Sequence, residues 1–288
     1  MPANLIDGRA LAAAIRERVS REAADLRAAG RPATLAAVLF GGDGGAEAYA
    51  QSQARAAAEW GIDHRVLRLD VGVSASDAAD AIQRLSDDPT VSGILLLQPV
   101  PSRLDVFELQ QRIAAGKDVE GVSAENIGRL VMGRRALVPC TAAAAFECVR
   151  ATGVDLVGRH AVVVGRSAIV GKPVAALLLA AHATVTHCHS RTADLASVCR
   201  QADVLVVAVG SPGLIGRGHV RPGAAVVDVG TNRVPSASGG SRLVGDVRFD
   251  EVRDVAGWLT PVPGGVGPVT VAMLLANVTA AARSASRG

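Results

Sequence analysis

The stretch AVVVGRSAIVGKP, residues 161–173, decides the reading of this chain. Its first four residues are small or β-branched and apolar, the composition of a strand buried on both faces of a parallel sheet. They run straight into Gly165, Arg166 and Ser167, and Gly171 follows just before a helical segment. A glycine-punctuated bend between a buried strand and a helix lets backbone N–H groups and the positive helix end approach a phosphate closely. The usual form of this turn has three glycines, and here Ser167 takes the place of the middle one. Taken alone, the turn admits two readings, a dinucleotide-phosphate site or a tight structural bend.

Working outward, apolar stretches at 161–164, 184–187, 204–209 and 224–229 alternate with helical segments. That regularity is the signature of a parallel-sheet nucleotide-binding domain. Each stretch ends in a loop: GRS at 165–167, HSRT at 189–192, VGSP at 209–212 and VGTN at 229–232. Ligands of doubly wound sheets sit at the carboxyl ends of the strands, so these four loops ring one crevice. VPSASGG at 234–240 reads as a turn-rich surface loop. TPVPGGVGPVT at 260–270 packs three prolines and three glycines before a final helix at 271–282, which suits a rigid wall beside a site.

The first half also alternates. A helix at 11–26 precedes the strand LAAVLF at 35–40, the glycine loop at 41–45 and a helix from 46 to Gly61. A strand at 64–69, a helix at 75–85 and a buried strand at 91–97 follow, the last running into Gln98 and Pro99. The fold class is therefore α/β, with two α/β domains and parallel sheets joined by right-handed crossovers. After a short helix at 106–114, GKDVEGVSAENIGRL at 116–130 reads as a charged loop. Asp118 and Glu120 lie two apart in it and so share one side of an extended chain. Thr141 is placed to cap the helix that leads into the second half.

Composition narrows the function. Of 288 residues 49% are hydrophobic and only 2% aromatic, so the core is built from Ala, Val, Leu and Ile, which favours α/β layers. Thirty basic residues against 27 acidic ones, with no Lys/Arg block, make nucleic acid an unexpected partner. Cys140, Cys148, Cys188 and Cys199 form no CxxC pair and read as reduced thiols of a cytoplasmic protein. Cys140 beside Thr141 fits a helix start better than a nucleophile, and His187 with His189 lacks a third ligand at suitable spacing, so no metal is expected. The N-terminus carries charges within a helical period, and no apolar run reaches membrane-spanning length, so neither a signal peptide nor a membrane segment is expected.

VVVGRSAIVGKP at 162–173, TVTHCHSRT at 184–192, VVDVGTN at 226–232, VGDV at 244–247 and TPVPGGVGPVT at 260–270 occur together and in order. With them the chain resembles the methylenetetrahydrofolate dehydrogenase/methenyltetrahydrofolate cyclohydrolase family over roughly residues 35–282. The resemblance implies a catalytic domain at 1–140, completed by the C-terminal helix at 268–288, and a Rossmann-like NADP domain at 141–267. A folate-type substrate would lie in the cleft between them, and the protein would be a homodimer. By resemblance Gly165, Arg166, Ser167 and Gly171 form the phosphate turn, with Arg166, Ser190 and Arg191 around the ribose 2′-phosphate. A guanidinium there makes charge-assisted bonds to phosphate, which favours NADP over NAD. Thr231 stands where the family has isoleucine. Pro263, Gly264 and Gly265 fall on the substrate wall.

The substrate side departs from the pattern. The family's serine, tyrosine and catalytic lysine correspond to Ala46, Tyr49 and Gln53, so the tyrosine alone is kept. The glutamine of the VQLPLP motif falls at Leu97, with Gln98 displaced by one residue and hence toward the opposite strand face. KDVDG reads KDVEG, which keeps Asp118 and places Glu120 where the family has the aspartate that holds the pterin. Hydride transfer from the one-carbon bridge needs positioning more than acid or base, whereas hydrolysis of the methenyl product needs a proton carrier. Gln53 does not titrate near neutral pH, so the expected activity is NADP-linked oxidation with hydrolysis lost. Lys117 is the nearest lysine by motif to the altered site. The alternatives are both activities with Glu120 or water replacing lysine, a different pterin or imine substrate, or an NADP-binding scaffold without catalysis.

Overall fold

The computed structural model describes residues 2–41, 44–236 and 239–285, and the side chains of 44–46 and of Tyr49 lie outside that description. The chain forms two compact units, Met1–Ala13 with Thr141–Met273, and Ala14–Cys140 with Leu274–Gly288. The sequence division keeps the N-terminus with the first half. In the structure it belongs to the second, because the two-residue strand β1 (Asn4–Leu5) pairs in that unit's sheet. Asp7 then starts α1 (Gly8–Ala28), its carboxylate accepting the N–H groups of Arg9 and Ala10 at 2.9 and 3.2 Å.

The next elements follow the apolar pattern. β2 (Thr34–Phe40) is buried at all seven positions, as expected of a strand covered on both faces. α2 (Gly44–Glu59), β3 (Asp63–Leu69), α3 (Ala75–Asp87) and β4 (Gly93–Leu96) come after it. β2 lies between β3 and β4, with both neighbours parallel to it. Ala36, Val38, Phe40, Ile82, Ile94 and Leu96 form the core under this sheet. After α4 (Val106–Gln110) the chain departs from the expected loop, since α5 (Ala124–Val131) occupies part of 116–130. Ser123 caps it by accepting the N–H of Asn126, and Asn126 and Leu130 are its buried positions; the charges and glycines around it mask this short amphipathic period. α6 (Cys140–Ala151) begins one residue before Thr141, which therefore sits inside the first turn and not at the cap.

The second sheet is built from β5 (His160–Val164), which leads to α7 (Gly171–Ala180), and from β6 (Thr184–Cys188), which leads to α8 (Leu195–Cys199). β7 (Val204–Val207) and β8 (Ala225–Asp228) continue it. Then come β9 (Asn232–Pro235), β10 (Ser241–Val244), α9 (Phe249–Arg253), β11 (Trp258–Leu259) and α10 (Val266–Ala285). Six strands run parallel in the order β1-β11-β8-β7-β5-β6, so the four predicted loops all leave the same edge. Strands β9 and β10 pair antiparallel around the turn-rich segment; residues 237 and 238 of that segment lie outside the described residues. The sequence expectation lacks β1, β11 and this hairpin, since two-residue strands carry no readable alternation.

α10 is long and apolar enough to cross a membrane, with a mean hydropathy of 1.3, which corrects the expectation that no such run exists. It is a core helix: 56% of that stretch is buried, and Asn277 donates to the carbonyls of Val119 and Val138 at 2.8 and 3.0 Å. An amide hydrogen-bonded on both sides is the mark of a protein interior.

Candidate functional site

The turn after β5 is shaped by two glycines. Gly165 has φ +119°, and a Cβ there would come within 2.1 Å of the Ala208 carbonyl oxygen. A Cβ on Gly171 would lie 1.8 Å from the Gly165 carbonyl oxygen, so neither position accepts a side chain. Ser167 replaces the middle glycine usefully, since its hydroxyl accepts the N–H groups of Val170 and Gly171 at 3.1 and 3.2 Å and so closes the turn that leads into α7. The N–H of Gly165 goes to the Cys188 carbonyl and that of Lys172 to the Ser167 carbonyl. The N–H groups of residues 166 to 169 have no acceptor among the described residues. Four consecutive free amides before a helix form a cradle for a phosphate.

β6 lies beside β5, so HSRT emerges next to GRS. Arg166, Ser190 and Arg191 are exposed there, and neither guanidinium has an ion pair among the described residues. The N–H of Arg191 donates to Nδ1 of His189, and Nε2 of His187 meets the Gly165 carbonyl at 2.6 Å. The two histidines thus brace the loops. This arrangement fits a nucleotide with a phosphate on the turn and a second anionic group between the arginines.

The loops after β7 and β8 behave differently. Asp246 is fully buried, and its carboxylate accepts the N–H groups of Val209, Gly210 and Ser211 at 2.7, 3.0 and 2.8 Å. The same carboxylate accepts Nδ2 of Asn232 at 2.8 Å. Asp228, at the end of β8, accepts the N–H groups of Gly230, Asp246 and Val247 at 2.9, 3.0 and 2.9 Å. Burial raises the Asp228 carboxyl to about 6 against the pull of those three bonds, and the Asp246 charge adds to the rise. Glycine makes the pair possible, because a Cβ on Gly245 would sit 1.8 Å from Asp228 Oδ2 and one on Gly230 would sit 2.4 Å from Asp246 Cγ. In the sequence these aspartates stand inside VVDVGTN and VGDV with no task apparent. The available signal is an aspartate ending a run of buried valines, a position that demands hydrogen-bond partners.

Thr260 links this clasp to the proline-glycine wall, its hydroxyl accepting the N–H of Asp228 at 2.7 Å. A cavity of about 250 Å³ opens beside it, lined by Asp228, Thr231, Pro263, Gly264, Gly265 and Arg9 among others. Thr231, read as a cofactor residue, and 263–265, read as substrate residues, are therefore neighbours in one unit. Gly8 completes the wall: its N–H donates to the Gly264 carbonyl at 3.0 Å, and a Cβ on it would lie 1.7 Å from the Gly265 oxygen.

In the other unit Tyr49 and Gln53 lie on α2, one turn apart. The Tyr49 side chain and Ala46 fall outside the described residues. Gln53 is 6% exposed, and neither Nε2 nor Oε1 has a hydrogen-bond partner among the described residues. Leu97 is buried after β4, whereas Gln98 is exposed and accepts the Val100 N–H through Oε1 at 3.2 Å. Asp118 is 2% exposed and accepts the N–H of Gly121 and of Ser123 at 3.0 and 2.7 Å, and Nδ2 of Asn126 at 3.0 Å. Its carboxylate holds the loop that carries Glu120. Burial raises the Glu120 carboxyl to about 7, the Asp118 charge adds to the rise, and a hydrogen bond with Gln110 opposes it.

Lys117 is no substitute for a missing ammonium, since its Nζ donates to the carbonyls of Ser86 and Asp88, both at 2.7 Å, and burial lowers its pKa. It lines a cavity of about 770 Å³ at the amino ends of β2, β3 and β4 that holds none of the expected site residues. Cys140 opens α6 as a buried thiol donating to the Val119 carbonyl, and burial raises its pKa far above neutrality.

A parallel nucleotide-binding unit joined to a second parallel α/β unit defines a class of two-domain dehydrogenases. Residues 6–120 match the family "Tetrahydrofolate dehydrogenase/cyclohydrolase, catalytic domain" and residues 139–286 match its "NAD(P)-binding domain". The chain is 48% identical over 283 residues to the "Bifunctional protein FolD" of Moorella thermoacetica, covering 98% of this chain and 100% of the relative. The crystal structure of the bifunctional FolD methylenetetrahydrofolate dehydrogenase/cyclohydrolase from Campylobacter jejuni superposes with a TM-score of 0.93 at 39% identity, over 98% of this chain and 99% of that one. The Trypanosoma brucei enzyme, solved with NADP cofactor and inhibitor, gives 0.92 at 38% identity over the full length of both. The chain belongs to the tetrahydrofolate dehydrogenase/cyclohydrolase family.

Two outcomes follow from the carboxylates. Asp246→Asn puts an amide N–H₂ against donors that now meet oxygen, and unfolding in urea should show a loss of about 3 kcal/mol, with weakened NADP binding by calorimetry. Glu120, whose folded pKa lies above its unfolded value near 4.5, contributes stability that is complete below that value and lost as pH rises through about 7. Urea titrations at pH 5 and pH 8 should show wild type losing about 3 kcal/mol relative to Glu120→Gln across this window.

Proposed function

We propose that this chain oxidises 5,10-methylenetetrahydrofolate with NADP and hydrolyses the resulting 5,10-methenyltetrahydrofolate. Loss of hydrolysis is the expectation from Gln53 alone, but full-length relatives at this level of identity are named bifunctional, which favours the paired activities. The observation that carries the reading is the row of amides at 166–169 left free among the described residues, beside two arginines without an ion pair there, inside a chain that matches both family domains. NADP, when bound, accepts the hydride. The chain's own share of that step is orientation: the amides and Arg166 with Arg191 would hold the phosphates, and the Asp246 clasp holds the loops after β7 and β8 in place.

Hydrolysis requires a group that takes a proton from water as its oxygen bonds to the methenyl carbon, then returns it to the nitrogen that leaves as the C–N bond breaks. Glu120 has the right poise for this, because a carboxyl that titrates near 7 is both a competent base and a competent acid at neutral pH. Asp118 acts on it through the loop, and Gln53 has no titratable proton to offer. In keeping with the family resemblance the protein is read as a cytoplasmic homodimer, and sedimentation should give twice the chain mass of 29.3 kDa.

Absorbance of NADPH and of the methenyl product, followed together, tests the assignment. With methylenetetrahydrofolate and NADP the enzyme should form NADPH, and methenyl compound should then decay faster than in buffer. Glu120→Gln should slow that decay at least tenfold while NADPH formation falls less. Accumulation of methenyl product at the buffer rate in wild type would return the chain to a single-activity dehydrogenase.

A further inference from the structure

Residues 50, 53, 57 and 60 of α2 and the turn after it form the buried helical stripe Ala50, Gln53, Ala57 and Trp60. Three of the four are apolar, and the fourth is a carboxamide. Its Oε1 and Nε2 are buried and have no hydrogen-bond partner among the described residues. Asp118, Asn126, Asp228, Asp246 and Asn277 are buried too and all have their bonds, and the one further unpartnered buried side-chain atom among the described residues is Nε2 of His64. A buried amide with nothing to bond weakens the fold, and leucine or methionine would fill the same place without that loss. Among the described residues Gln53 is thus the one side chain with both polar ends buried and unbonded, and this costs the free protein stability.

We infer that Gln53 is a substrate-recognition residue whose carboxamide makes a paired donor-and-acceptor contact to a lactam edge of the ligand. A carboxamide holds its oxygen and its N–H₂ side by side in one plane, which matches a ring edge where C=O and N–H are adjacent. The pterin ring of a folate has such an edge, and to that extent the inference rests on the proposed function. It also gives the residue a task unlike that of an ammonium, which offers donors only. The contact selects for the ring and involves no proton transfer.

Calorimetry and thermal melting of the full chain separate the possibilities, with tetrahydrofolate and NADP as separate probes. Gln53→Met keeps the length of the side chain and removes both polar atoms. Its ligand-free form should melt about 2–4 °C higher than wild type, its tetrahydrofolate affinity should fall about tenfold or more, and its NADP affinity should be unchanged. Gln53→Glu should bind tetrahydrofolate poorly at pH 8, where it can only accept, and better at pH 6, where a buried carboxyl regains its proton and donates. Equal tetrahydrofolate binding by wild type and Gln53→Met, or a lower melting temperature for the ligand-free variant, would overturn the assignment. A wild-type chain that binds NADP but no tetrahydrofolate would overturn the folate reading and this inference together.

Discussion

One carboxylate organises the nucleotide unit. Asp246 gathers three consecutive N–H groups after β7 and the side chain of Asn232 after β8, so two loops separated in sequence become one body. Its own N–H is held by Asp228, which Thr260 connects in turn to the proline-glycine wall. Each unmade hydrogen bond in such a place costs about 1–3 kcal/mol, so the four donors on Asp246 make it a point on which the local backbone depends. Gly230 and Gly245 belong to the same device, since a methyl group on either would occupy the space of a carboxylate.

Much of the sheet that carries this clasp was legible. Runs such as 161–164 and 204–207 declare a doubly covered parallel sheet because nothing polar interrupts them, and the loops that follow must then leave one edge. The tight turn after β5 was readable from Gly165 and Gly171, although the hydroxyl of Ser167 closing it was not. What stayed hidden depends on chain segments meeting in space. Asp228 and Asp246 are 18 residues apart, and neither position alone shows that they interlock. β1 and β11 are two-residue strands whose existence follows from pairing with neighbours and not from their own pattern. The short helix α5 was obscured by glycines and charges that serve the loop before it.

The substrate unit was readable as departures from a pattern, and the structure gives those departures physical content. Asp118 is committed to its own loop, Gln98 turns back on Val100, and Glu120 is the carboxyl left with a displaced titration. The unit therefore holds an unbonded neutral amide at 53 and, at 120, an acid displaced toward neutrality. Sequence could name both positions, but burial decides their character: it raises the acid toward neutrality and leaves the amide unbonded.

The two kinds of loop at the edge of the six-stranded sheet also give it a polarity. After β5 the amides are free and arginines stand beside them, while after β7 the amides are already filled by the protein's own anion. Phosphates thus have a seat at one side of the crevice and are turned away at the other, where a buried negative charge is already in residence. An anionic group is therefore favoured beside β5 and disfavoured beside β7 and β8, so the edge of the sheet is not equivalent along its length. That asymmetry is written by an aspartate buried beneath the surface and not by a charge displayed on it.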